Sequence, residues 1–248
     1  MLMRTLHNKW KFSGILARLA LPQPRTELAL DRQALLATQL PFPIITKPVD
    51  RWASVGFQIH WSREALRGRI ASHTLGADFP VLVQEFVPGF DVGLAFVASK
   101  GRLITCAAFE QPRRGVRRYF DAPRLRHSVA TLLRDTGYHG VGEIDARYDP
   151  SRDEYKLLEV NPRFWASVLY ATRAGVNFPK LLVQLDEHSR ELGFLGHSEP
   201  VRLTAYELGM SRAALLAEQA TNALSSGLAQ AKRALDGVRG LRLGSTGL

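Results

Sequence analysis

Two spacings of apolar residues alternate along this chain and divide it into helices and strands. Leu6, Trp10, Ile15 and Leu19 fall near helical intervals in LHNKWKFSGILARLA, which predicts a helix. The two prolines of LPQPRTEL predict an extended segment. DRQALLATQL is a short helix with Asp31 as its cap. FPIITKP, Phe42 to Pro48, is a β-branched strand closed by proline. VDRWASVGF reads as a loop, and WSREALRGRI as a helix capped by Ser62 with a charged outer face. Strands then dominate: VLVQEF, VGLAFVAS and LITCAAFE, the last two joined by a turn at Lys100-Gly101. APRLRHSVATLLRDTGY is a helix that stops near Gly137. EIDARY and YKLLEVN are strands around the turn DPSRD, and NFPKLLVQLDEHSREL is a further helix. From about Ser211 the chain turns alanine-rich and helix-prone, so residues 206–248 read as a helical tail ending in LRLGSTGL. No internal repeat occurs. Strands and helices mix without a strict βαβ alternation, which predicts an α+β fold.

Composition narrows the picture. With 248 residues, 46% of them hydrophobic, the chain can bury a core in one large domain or two small ones. No run of 18 apolar residues predicts a membrane span. The N-terminus lacks the apolar block of a signal peptide, since Arg18 interrupts ILARLAL. Cys106 is the one cysteine, so no disulfide forms within the chain. Its setting, LITCAAF, is that of a buried strand, and the default compartment is a reducing cytoplasm. The formal charge of +10 raises the alternative of a basic nucleic-acid-binding protein. Its source is mainly arginine, and the arginines are scattered apart from RRGVRR at 113–118 with Arg124 and Arg126 nearby. No recognition motif interleaves them with aromatics, so nucleic acid is not the expected partner.

The strand YKLLEVN carries polar groups in an apolar setting. Strict alternation puts Tyr155, Leu157, Glu159 and Asn161 on one face. It puts Lys156, Leu158 and Val160 on the other, with the apolar pair of that set toward the core. A hairpin centred on Arg152 places Asp145 opposite Glu159 and Glu143 opposite Asn161, so that three carboxylates and an amide share a patch. Opposed like charges destabilise a hairpin and call for water, protonation or a cation. With no thiol or imidazole at the patch, oxygen ligands suit Mg²⁺ or Mn²⁺, which takes its remaining ligands from water and phosphates. Arg163, just past the strand, could then hold a phosphate oxygen. A solvated hairpin face with ordinary surface acids satisfies the same spacing.

LLEVNPRFWAS with GVGEIDARYDP resembles the metal-binding hairpin of the ATP-grasp superfamily, most closely its carboxylate–amine ligase branch, with carbamoyl-phosphate-synthetase-like domains as relatives. The likeness extends upstream in order. HNKWKF with LPQPRTEL is similar to the family's opening lysine, helix and P-x-P-x-T strand. FPIITKP is similar to its strand ending in a nucleotide-binding lysine, VLVQEFVPGFD to its linker strand, and AGVNFP to its following helix start. Roughly residues 6 to 190 are covered.

The resemblance implies two α+β subdomains with the nucleotide cleft between them. Within an ATP-grasp domain at 1–205, residues of about 40–92 would form the smaller lid subdomain and about 93–205 the metal-binding one. Lys9 and Lys47 would contact ATP phosphates, and Gln84, Glu85, Phe86 and Val87 would line the adenine pocket, with backbone groups of Glu85 and Val87 reading the adenine edge. Asp91 would hold the ribose hydroxyls. Asp145, Glu159 and Asn161 would hold Mg²⁺, with Glu143 behind them or in auxiliary contact. Arg163 would bind the transferred phosphate or an acyl phosphate, Arg147 would assist, and RRGVRR could reach substrate or phosphate or be a charged loop tip. The implied activity is an ATP-dependent ligase that joins a small carboxylate to an amine through an acyl phosphate. A degenerate module or partner subunit that binds nucleotide without turnover is the alternative. Three features depart from the family pattern. The loop VDRWASVGF has one glycine, Gly56, beside bulky Trp52 and Phe57. The chain begins almost at the opening lysine, without the family's usual N-terminal α/β domain, so part of the substrate site is missing, is supplied by a partner chain or homo-oligomer, or is lost through a misplaced start. The alanine-rich tail has no counterpart.

Overall fold

The computed structural model describes residues 2–51, 55–75, 78–113, 115–185 and 201–202. Trp52, Arg114 and the alanine-rich tail lie outside the described residues. The chain divides into two compact units, residues 1–111 with 117–201, and residues 112–116 with 202–248.

The N-terminal helical stretch forms two helices, α1 (Leu2–His7) and α2 (Lys9–Arg18). Asn8 breaks them apart because its side chain caps α2 by accepting from the Lys11 amide. The first sheet has the order β1-β4-β2-β3, all antiparallel, from β1 (Thr26–Ala29), β2 (Ile44–Pro48), β3 (Gln58–His60) and β4 (Val81–Glu85). Helices α3 (Arg32–Leu36) and α4 (Arg63–Ala71) start at Asp31 and Ser62, whose side chains accept from Ala34 and Ala65. Ala29, Leu35, Ile44, Leu66, Val81 and Val83 close a small core between helices and sheet. Strand β3 lies where the sequence pattern gave no strand signal, at the end of the loop before Trp61.

The second sheet is larger. It has β5 (Phe90–Ser99), β6 (Arg102–Arg113), β7 (Val116–Phe120), β8 (Gly140–Asp149), β9 (Glu154–Asn161) and β10 (Val201–Arg202), in the order β10-β7-β6-β5-β8-β9. Helix α5 (Pro123–Thr136) ends at Gly137, which takes the left-handed conformation at φ 60°. Short helices α6 (Val168–Arg173) and α7 (Phe178–Val183) follow the hairpin. The large core joins Leu6, Phe12 and Leu16 of the N-terminal helices to Leu94, Phe96, Ile144, Leu157 and Val160 of the sheet, with Cys106 among its buried members. Burial of these side chains fixes the N-terminal helices against β9, each large side chain contributing about 1.5–3 kcal/mol.

Strict alternation along β9 does not hold. Asp145 pairs with Glu159 and Glu143 with Asn161, as the hairpin predicts, but Ala146 pairs with Leu157 and Tyr148 with Tyr155. The register shifts by one between Asp145 and Ala146, so Leu158 is the extra residue of a β-bulge. Leu157 therefore joins Val160 in the core instead of sharing a face with Glu159. Lys156, opposite Arg147, moves to the polar face.

Gly89, at φ 108°, sits between the two sheets in sequence. A Cβ there would lie 2.0 Å from the Tyr148 carbonyl oxygen. Gly89→Ala should destabilise the fold by about 2–3 kcal/mol in urea unfolding, because the left-handed backbone and the clash oppose any side chain.

Candidate functional site

Helix α2 begins with Lys9, and packing of Phe12 and Leu16 into the large core aims that lysine along β9. Its ammonium lies 3.1 Å from a Glu159 carboxylate oxygen and donates to the Arg51 carbonyl at 2.6 Å. It is buried, unlike an ordinary solvated helix lysine. Lys47, on β2 of the first sheet, is also buried, and burial pulls its ammonium down to about 8 against the favourable fields of Glu159 and Asp145. The structure thus gathers Lys9, Lys47, Asp145 and Glu159 from a helix and both sheets.

Asp145 faces Glu159 across β8 and β9, and the Asn161 side-chain amide donates to Asp145 at 3.1 Å. Burial pushes the Asp145 carboxyl up to about 7, and the charge of Glu159 and a hydrogen bond with it add to the rise. Two carboxylates held this close with an amide beside them form the oxygen-donor set that Mg²⁺ accepts, since that ion completes its shell from water and phosphates. Neutralising the half-buried pair is what a cation would do there. Among the described residues no three His, Cys, Asp or Glu side chains gather into a metal cluster, so the donor set is two carboxylates and an amide, not three carboxylates. Glu143 shares the face but keeps one buried oxygen without a hydrogen-bond partner. Arg163 is exposed and leans on the Asn161 oxygen at 3.4 Å.

The linker residues take parts that their sequence spacing did not show. Gln84 is buried and donates to Thr26 at 2.9 Å. Glu85 accepts from Lys156 at 2.6 Å and from Arg25 at 2.8 Å. Burial works against its charge, yet those two donors hold its carboxyl down to about 2. Lys156 escaped the sequence reading because alternation put it on the wrong face. Arg147 donates to the Val87 carbonyl at 2.6 Å, the Gly89 carbonyl at 2.8 Å and Asp91 at 2.6 Å, and its guanidinium lies over the Phe86 ring. All three nitrogens thus engage the linker. Asp91 is 76% exposed and keeps an oxygen beyond the one that Arg147 holds. The arginine cluster splits: Arg118 pairs with Glu110, while Arg117 lies between the rings of Phe109 and Tyr170. Arg114 is outside the described residues.

A family model described as "ATP-grasp in the biosynthetic pathway with Ter operon" matches residues 78–207, just over half of the chain. A D-aspartate ligase of Enterococcus faecium (strain Aus0004) is 24% identical over 213 residues, which cover 74% of this chain and 50% of that protein. A D-alanine–D-alanine ligase of Gluconobacter oxydans (strain 621H) is 26% identical over 190 residues, covering 67% and 62%. The chain spans about half to three-fifths of the length of these relatives. Among solved structures, the biotin carboxylase domain of the Hydrogenobacter thermophilus 2-oxoglutarate carboxylase, in complex with MgADP, superposes with a TM-score of 0.65. It is 14% identical, and the match covers 79% of this chain and 49% of that one, which bears on the fold.

Two outcomes test this geometry. Because the Glu85 carboxyl is held below its ordinary value of 4.5, its ion pairs stabilise the fold above that pH and are lost as pH falls toward about 2. Glu85→Gln should therefore flatten the acid limb of stability in that window and lower stability by about 2 kcal/mol at pH 7 in urea titrations. Arg147→Lys, which removes the forked donor set, should raise amide hydrogen exchange across residues 86–91 by roughly tenfold or more and leave β8 protected.

Proposed function

This chain belongs to the ATP-grasp family, and from that premise we propose that it is the nucleotide- and metal-binding part of an ATP-dependent ligase that joins a small carboxylate to an amine. One observation carries the reading: buried Lys9 and Lys47, from separate elements, converge on the Asp145–Glu159 pair. Cations beside a carboxylate pair are what a triphosphate with a divalent ion requires.

The residues divide the work as follows. Lys9 and Lys47 hold ATP phosphates. Asp145, Glu159 and Asn161 hold Mg²⁺ or Mn²⁺, which supplies charge neutralisation between the phosphates when bound. Gln84, Glu85, Phe86 and Val87 form the wall against the adenine, and Asp91 takes the ribose hydroxyls. Arg147 positions that wall and does not touch the reacting atoms. Arg163 binds the transferred phosphoryl group. The substrate carboxylate oxygen bonds to the γ-phosphorus as the bond to ADP breaks. The amine nitrogen then bonds to the acyl carbon, its proton leaves, and phosphate departs with the carbon–oxygen bond broken. Alignment and fixed positive charge drive both steps, so no nucleophilic side chain is needed. The sheet of residues 26–85 and the sheet from Phe90 onward act as the two walls of the cleft.

The relatives named as D-aspartate and D-alanine–D-alanine ligases support an amide-forming reaction. A partner chain or a second copy supplying the remaining part of the substrate site accords with the share of their length that is matched here. A cytoplasmic setting suits a buried Cys106 outside any disulfide, and no helix among the described residues is long and apolar enough to cross a membrane. A nucleic-acid-binding role is the weaker reading. Arg18, Arg25, Arg118, Arg124, Arg126 and Arg147 all pair with carboxylates instead of forming a free basic face.

The test is twofold. MgATP should raise the thermal unfolding midpoint by several degrees in a manner that depends on Mg²⁺. An ADP-release screen across acid and amine pairs should find turnover that drops at least ~100-fold in Glu159→Ala. Turnover that persists in that variant refutes the metal assignment. Protection without any ADP release marks a nucleotide-binding module that does not turn over.

A further inference from the structure

Helix α5 packs on the face of the second sheet opposite to the one that carries Asp145. Its Leu125, Val129 and Leu133 share the large core with Leu94, Phe96 and Ile144, and Asp145 follows Ile144 on β8, so it points the other way. Between α5 and the start of β6 lies a cavity of about 620 Å³ whose lining shares no residue with the candidate site. Pro123, His127, Ala130 and Arg134 line one side. Their spacing of three and four residues puts them on a single helical stripe about 16 Å long. Lys100, Gly101, Arg102 and Leu103 line the other side.

The two ends of this cavity differ in character. The turn into β6 has left-handed backbone at Lys100 and Gly101, with φ 47° and 84°. Gly101 donates its amide to the Tyr138 carbonyl at 2.7 Å, and a Cβ on it would lie 3.1 Å from the Leu133 oxygen and 3.2 Å from the Arg134 Cα. The turn is thus pressed onto the last part of α5, an approach that suits glycine. Lys100 and Arg102 flank that glycine, so three cationic residues gather where α5 ends. The negative end of the helix helps to hold them there. Toward the start of α5 the lining turns apolar, with Leu103, Ala130 and Pro123, and Arg126 at that end is held by Asp121. No carboxylate among the described residues lines the cavity, and Asp135, next to Arg134, is taken by Arg18 through both oxygens.

We propose that this cavity is a second ligand site, for a phosphate monoester, with the phosphate on Lys100, Arg102 and Arg134 and the organic body against Leu103, Ala130 and Pro123. Three like charges brought together repel one another, and an anion among them relieves that. The volume is that of a small-molecule site and exceeds what a bare ion fills. A phosphate ester carries close to two negative charges and three acceptor oxygens in one head, which the forked guanidinium groups of Arg102 and Arg134 grip in pairs. A carboxylate head brings half that charge. The site lies across the sheet from the carboxylate pair, so its ligand takes no part in phosphoryl transfer, and the proposal stands independently of the ligase reading.

The experiment is calorimetric titration of the full chain, in the presence of MgADP, with phenyl phosphate, inorganic phosphate and benzoate. Phenyl phosphate should bind ~10-fold more tightly than inorganic phosphate, because its ring covers apolar wall. It should also bind ~10-fold more tightly than benzoate, because of the second charge. Arg134→Gln should weaken phenyl phosphate by ~10-fold or more. Ala130→Phe, which fills the apolar stretch, should bring phenyl phosphate down to the level of inorganic phosphate and leave the latter within ~2-fold of wild type. A cooperative melt shows that each variant is folded, and the two variants report on opposite ends of the ligand. The proposal is overturned if phenyl phosphate does not bind, if benzoate binds as tightly, if Arg134→Gln binds like wild type, or if Ala130→Phe keeps the advantage of the ring. Binding that is lost in Lys47→Ala but kept in Arg134→Gln would put the ester in the nucleotide cleft and overturn it as well.

Discussion

Asp145 and Glu159 face each other across the hairpin, half-buried, with like charge, and most of the polar architecture answers to that opposition. A carboxylate pair in such surroundings is unstable unless a proton or cation intervenes. Burial, reinforced by the charge of Glu159, pushes the Asp145 carboxyl up to about 7. The fold answers with two lysines from outside the hairpin, Lys9 against Glu159 and Lys47 nearby, each buried in its own right. Burial pulls the Lys47 ammonium down. Acids and cations are therefore held together by the packing around them, and each kind makes the other tolerable.

Much of this was legible in the sequence. A hairpin between EIDARY and YKLLEVN sets the Asp145–Glu159 pair, and the structure has that register. Asp31, Ser62 and Gly137 announce helix ends because each has a side chain or backbone freedom that only an end uses. Three things could not be read. Strand β3 is three residues long and lacks any alternation to detect. The burial of Lys9 depends on tertiary packing of α2, which local spacing does not contain. The bulge at Leu158 breaks the period of two on which face assignment rests, and LLEVN gives no glycine to mark it.

The arginine excess illustrates the same limit. Composition suggests a polyanion, whereas the structure distributes guanidinium groups among carboxylates on separate elements. Arg147 alone joins β8 to three points of the linker, Val87, Gly89 and Asp91. Whether an arginine meets a phosphate, a carboxylate or a backbone carbonyl is decided by which strand faces it, and charge counting is blind to that.

The bulge then explains how one strand serves two structures. With strict alternation, β9 would have to choose between burying Leu157 and presenting Glu159, since both would share a face. The extra residue lets Leu157 and Val160 enter the core while Lys156, Glu159 and Asn161 all emerge on the polar side. Lys156 reaches across to Glu85 at the end of β4, and Glu159 meets Lys9 at the start of α2. The linker that joins the two sheets and the carboxylates that face the lysines are thus fastened to the same short strand, three residues apart. The irregularity that defeats a sequence reading is what ties the end of β4 and the Asp145–Glu159 pair to one strand.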